Sequence, residues 1–131
     1  MEPDLRAQAP VVAAVSAGGV LGALARYAVS VAWPHAPGGF AWSTWAVNVS
    51  GCFLIGVLMV LVERRLAGRR LVRPFLGVGV LGGYTTFSTS VVDAQQGRPA
   101  VALLYLGATV VGALLAVGAG TALASAVVRT R

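Results

Sequence analysis

An amide, a run of hydroxyls, a guanidinium and a few aromatic rings are the groups in this sequence that could do chemistry inside an apolar chain. The densest run is Gly82-Gly83-Tyr84-Thr85-Thr86-Phe87-Ser88-Thr89-Ser90, set in an apolar segment from about Pro74 to Val92. Glycine costs about 1 kcal/mol relative to alanine in a helix, and Ser and Thr hydroxyls compete for backbone hydrogen bonds. The run therefore predicts a helix broken in mid-span. Unwound backbone at membrane depth is tolerated where it is buried in protein or lines a wet cavity, and such breaks mark ion or substrate sites in transport proteins. A Gly/Ser/Thr helix-packing face is the alternative, and this stretch alone does not choose between them. Three further groups stand out. Asn48 is an intramembrane amide, either an interhelical clamp or a ligand. Arg26 either snorkels to an interface or lines a wet vestibule. Tyr105 and Thr109, four residues apart, share one helical face, as packed hydroxyls or as a polar track.

The elements that must position these groups are membrane spans. Hydrophobic residues make up 57% of the chain and charged residues 11%, against about 25% charged in soluble domains. Mean hydropathy is +0.82. The chain reads as an integral membrane protein, all-α, whose 131 residues hold four spans of about 20 residues and no soluble domain. The expected spans are about 11–33, 43–62, 74–92 and 100–128, forming a single membrane domain. Met1 to Pro10 is expected to be polar and frayed. Glu2 and Asp4 are unlike a signal peptide's basic start, so the first span is read as retained.

Span 1 carries Gly18, Gly19 and Gly22, a small-residue face suited to close packing, and ends in Tyr27 and Trp33 as an interfacial belt would. A turn with Pro34, Pro37, Gly38, Gly39 and the lone His35, read as solvated, leads to an aromatic cluster of Phe40, Trp42 and Trp45. Cys52, the single cysteine, excludes an intrachain disulfide and reads as a small packing residue.

All ten basic residues are arginines, and the net charge is +6. In a soluble chain this would suggest nucleic acid; here the arginines cluster in a loop and at the ends, as they do at a membrane surface. With four spans, both termini and the middle loop share one side. That side carries Arg6, Arg64, Arg65, Arg69, Arg70, Arg73, Arg129 and Arg131, against Arg98 on the other, with Arg26 inside span 1. The positive-inside rule puts both termini in the cytoplasm of a plasma-membrane protein. No expected span holds Asp, Glu, Lys or His. Nucleophile–base pairs, zinc-ligand spacings and phosphate loops are missing too, so an enzyme is not expected. The groups left are neutral or positive and suit a small anion.

Three motifs strongly resemble the Fluc/CrcB fluoride channels, in that family's order and at its spacing: Gly18-Gly19-Val20-Leu21-Gly22-Ala23-Leu24-Ala25-Arg26-Tyr27, Asn48-Val49-Ser50-Gly51, and Gly82-Gly83-Tyr84-Thr85-Thr86-Phe87-Ser88-Thr89. The resemblance runs from about Val11 to Val128. It implies a four-span subunit of an antiparallel dimer with two fluoride pores and a central structural sodium ion (Na+), passively exporting fluoride and giving fluoride resistance. By position, Asn48 looks like the pore amide and Phe87 like a ring whose positive edge faces the ion. Ser88 and Thr89 look like hydroxyl donors beside the path, and Tyr105 and Thr109 like the polar track. Arg26 looks like a vestibule arginine that concentrates anions. The Gly82 and Thr85 carbonyls look like the sodium ligands.

Two positions depart from the family. Ser90 stands where the pattern has a second phenylalanine, and Ala113 where the track has a hydroxyl. The missing ring and the one-sided arginines point to a heterodimer with a homologous four-span subunit of inverted topology. A homodimer remains the alternative, as does a non-conducting structural or regulatory subunit, to which Ser90 also points. A small multidrug-resistance type transporter would need a membrane carboxylate, which span 1 lacks.

Overall fold

The computed structural model describes residues 5–130, and within them the chain is helical with no strand. Helix α1 is Leu5–Ala32, α2 is Trp42–Arg64 and α3 is Arg73–Leu81, with the turn Gly82–Tyr84 continuing it. After a two-residue interruption come α4, Phe87–Gln95, and α5, Pro99–Arg129. Four helical segments, the third formed by α3 through α4, are long and apolar enough to cross a membrane. At about 1.5 Å per residue, the 28 residues of α1 and the 31 of α5 exceed a hydrocarbon core of about 30 Å.

Three expectations change. Leu5 to Pro10, expected to fray, is helical; the rest of that expectation, residues 1–4, and Arg131 lie outside the described residues. Pro10 lies inside α1, in its second turn, where it has no N–H to donate to the residue four back. The interruption falls at Thr85 and Thr86 rather than near Gly83, with ψ of 156° and 117°. The third span also continues past Val92 to Gln95, which brings Asp93 onto a helix.

Helix α3 is wound as a π-helix, opening with Pro74 in its first turn. This wide winding is rare and concentrates at functional sites. The helices pair as α1 with α3 and α2 with α5, while α4 lies on α5. Small residues set both pairings. A Cβ on Gly22 would collide with the Val80 carbonyl, and one on Gly83 with the Gly19 carbonyl. Between α2 and α5, Gly56 meets the Val117 carbonyl and Gly120 the Phe53 carbonyl in the same way. Backbone against backbone is how helices associate where lipid supplies no hydrophobic drive.

The loop between α1 and α2 turns through Gly38, whose φ of 80° needs a residue without a Cβ. It delivers Phe40 onto the edge of Tyr105, ring centroids 5.0 Å apart at 90°. Trp42 and Trp45 complete the expected aromatic cluster. Trp45 Nε1 donates to the Ala108 carbonyl at 3.1 Å, which fixes the start of α2 against α5.

Candidate functional site

The interruption at Thr85–Thr86 is held from α2 by Asn48. Its Oδ1 accepts from the Thr86 N–H at 2.8 Å. Its Nδ2 donates to the Thr86 carbonyl at 2.9 Å and to Ser90 Oγ at 3.0 Å. Asn48 thus forms the interhelical clamp, with both amide hydrogens bonded within the chain, and still lies on the wall of an open groove. Gly51, one turn further along α2, leaves room for the Thr85 methyl.

The Thr86 N–H goes to Asn48 rather than to Gly82, four residues back. The Thr89 N–H goes to the Thr86 hydroxyl, which caps α4, rather than to Thr85. Among the described residues no N–H reaches the Gly82 or Thr85 carbonyl. Both residues line the groove. The interruption therefore sets a helix C-terminus, partly negative, against the partly positive N-terminus of α4.

The groove, about 510 Å³, is lined by Asn48, Gly82, Thr85, Phe87 and Thr109 on its polar stretch and by Cys52, Val110, Ala113 and Leu114 beyond it. The Phe87 side of the groove is open: this residue is 65% exposed at the first turn of α4. Ser88 and Thr89 cluster with the cap instead. Ser88 Oγ lies 3.2 Å from Thr86 Oγ1, and Thr89 Oγ1 accepts from Thr86 Oγ1 at 3.0 Å.

On the other side of the interruption lies a cavity of about 240 Å³, lined by Arg26, Tyr27, Ser30, Ser43, Thr44 and Thr89 among others. Arg26 lies on its wall. Its Nε donates to the Gly83 carbonyl at 3.2 Å, an acceptor freed because the helical turn ends at Tyr84. Tyr105 and Thr109 share a buried face of α5. Thr109 Oγ1 bonds back to the Tyr105 carbonyl at 2.8 Å. The Tyr105 hydroxyl finds no hydrogen-bond partner among the described residues, although Thr44, Ser90 and Thr109 surround it.

Sequence reasoning missed a polar chain at the cavity's rim. Thr44 Oγ1 donates to Asp93 Oδ2 at 2.9 Å. Asp93 Oδ1 lies 3.5 Å from His35 Nε2, and His35 Nδ1 lies 3.4 Å from Ser43 Oγ. The Asp93 side chain is only 11% exposed, so this span does hold a carboxylate, and His35 is engaged rather than merely solvated. The spacing carried a signal: Asp93 falls three residues after Ser90, and Thr44 four before Asn48, each pair on one helical face.

The chain matches the sequence profile of the family described as CrcB-like protein, Camphor Resistance (CrcB), over residues 13–121. This chain belongs to the CrcB family. Its CrcB relatives include the fluoride-specific ion channel FluC 1 of Streptomyces coelicolor, 54% identical over 116 residues, covering 86% of this chain and 75% of the relative. The FluC 2 fluoride-specific ion channel of Streptomyces avermitilis is 56% identical over 106 residues, 78% and 67% of the two chains. That of Thermobifida fusca is 54% identical over 114 residues, 84% of each. The matched stretch includes every residue of the site described above, from Arg26 to Thr109.

Proposed function

We propose that this chain is a subunit of a fluoride-selective channel in the plasma membrane, passing fluoride passively out of the cell. The observation that carries the reading is the clamped break in the third span of a chain whose relatives are named fluoride-specific channels. The positive N-terminus of α4 and the edge of Phe87 attract a small anion without a formal charge that would hold it. Arg26 raises the local anion concentration on one side. The Tyr105 hydroxyl, without a hydrogen-bond partner among the described residues, offers a donor to an ion shedding water.

The groove beside Asn48 and Phe87 is half a wall, which supports a dimer. The partner is a homologous four-span subunit packed in the opposite orientation. The eight-to-one arginine count supports a fixed orientation with both termini cytoplasmic, and hence a heterodimer. The carbonyls of Gly82 and Thr85, which no backbone donor reaches, suit a structural sodium ion at the dimer centre. Such an ion would supply positive charge against the exposed carbonyl ends of the break.

One observation favours a second reading, a non-conducting partner subunit: Ser90 takes one Asn48 hydrogen and Thr86 the other. Fluoride efflux from liposomes separates the readings. The chain alone is expected to be silent, and the chain with an inverted homologue to conduct. Flux from the chain alone overturns the heterodimer. Flux from the pair that is unchanged by Phe87→Ala favours the silent subunit.

A further inference from the structure

We propose that the arginine-rich end carries a binding site for one anionic glycerophospholipid. An apolar groove of about 430 Å³ opens there between α1 and the start of α3, lined by Ala14, Leu71, Val72, Phe75 and Leu76. All five lining residues are apolar. The groove's chain segment is interleaved with guanidinium groups: Arg69 and Arg70 immediately precede Leu71, and Arg73 lies between Val72 and Phe75. These three arginines are exposed. In the stretch 63–73 five arginines face a single acidic residue, Glu63.

The loop is held in place against α1. Arg70 Nη2 donates to the Ala7 carbonyl at 3.2 Å, which ties the arginine-bearing loop to the start of α1. Ala14 lies seven residues further along α1 than Ala7, a rise of about 10 Å. The groove's wall on α1 thus lies two turns along from the Arg70 contact.

The two features select the occupant together. Arginine presents five donors in a planar fork that matches phosphate, and clusters of four to eight basic residues beside a span attract anionic headgroups. Inorganic phosphate would satisfy the arginines and leave the groove unfilled. A zwitterionic lipid would fill the groove and leave the positive layer without a net counter-charge. An anionic phospholipid does both. The inference concerns a surface remote from the break and does not depend on which ion the protein conducts.

Native mass spectrometry of the full chain, purified in detergent and offered equimolar phosphatidylglycerol and phosphatidylcholine, tests it. The expected result is one retained phosphatidylglycerol, favoured by at least about tenfold, since each arginine near an anionic surface is worth about a fivefold factor. The triple variant Arg69→Gln, Arg70→Gln, Arg73→Gln brings the preference to within about twofold. Ala14→Leu narrows the groove and lowers retention of phosphatidylglycerol with the arginines intact. Arg129→Gln, off the groove, leaves the preference unchanged and controls for the loss of a single charge elsewhere on the chain. Equal retention of the two lipids, or a triple variant that keeps the preference, overturns the site. So does complete competition by millimolar inorganic phosphate, which would reduce it to an anion patch. A lipid-free dimer that Ala14→Leu dissociates would assign the groove to a second copy and also overturn it.

Discussion

Asn48 does three jobs with one amide. It accepts from the Thr86 N–H, donates to the Thr86 carbonyl, and donates to Ser90. A net hydrogen bond contributes about 1 kcal/mol, and a buried partner left unsatisfied costs about 1–3 kcal/mol. Asn48→Ala is therefore expected to destabilise the fold by about 3 kcal/mol, read as a shifted unfolding midpoint in a denaturing-detergent titration. Ser90→Ala removes a single acceptor and is expected to cost about 1 kcal/mol. Ser90 itself is wholly enclosed, with 0% exposure. Placing a phenylalanine ring there would overpack the space among Asn48, Thr86 and Tyr105. Ser90→Phe is thus expected to destabilise by about 1–3 kcal/mol in the same titration. An unchanged midpoint would mean the ring swings out to the open groove. In the sequence the serine stood out only through the resemblance, at a place where that pattern has a phenylalanine. Its role as the acceptor that occupies Asn48 was not legible, because that bond joins residues 42 positions apart.

At the level of elements, close backbone contact decides which glycines matter. A Cβ at Gly22 meets the Val80 carbonyl and the Tyr84 amide, neither of which can move as a flexible side-chain end would. At Gly107 and Gly118 it meets nothing within 4 Å. Gly22→Ala is expected to separate α1 from α3 and to cost at least about 2 kcal/mol. Gly107→Ala should be neutral or stabilising by up to about 1 kcal/mol through helix propensity. Thermal unfolding of the three proteins side by side checks the order, and equal midpoints would remove the packing argument. The same residues show what a sequence can and cannot place. The spans were legible from hydropathy, and the broken third span from its glycines and hydroxyls. The position of the break was not, because Gly82 and Gly83 remain helical and one of them serves packing. What ends the turn is Asn48, on another helix, drawing the Thr86 N–H away from Gly82. Asp93 was missed for a related reason: α4 runs three residues beyond the apolar stretch, which carries the carboxylate inward to Thr44.

For the whole molecule the question is what covers the groove beside the break. Cys52 lies one turn beyond Asn48 on α2 and lines that groove with Val110, Ala113 and Leu114. It is the chain's single cysteine, so one thiol reports on one surface. Leu114 and Phe87, which border it, are 66% and 65% exposed in the chain by itself, a pattern that suits either lipid or a protein partner. An inverted subunit seated on the groove would bury the thiol, whereas lipid would leave it open to a membrane-permeant maleimide. Labelling of Cys52 in liposomes is therefore expected to slow by at least about tenfold when the inverted homologue is present. A protein interface packs as densely as an interior and excludes a reagent of that size. The slowing should appear in the same preparations that pass fluoride and be absent when this chain is reconstituted alone. Equal labelling in conducting and silent preparations would place the partner on another face. It would then leave the α4 N-terminus, Phe87 and the Gly82 and Thr85 carbonyls facing lipid, where neither a fluoride path nor a central cation could form.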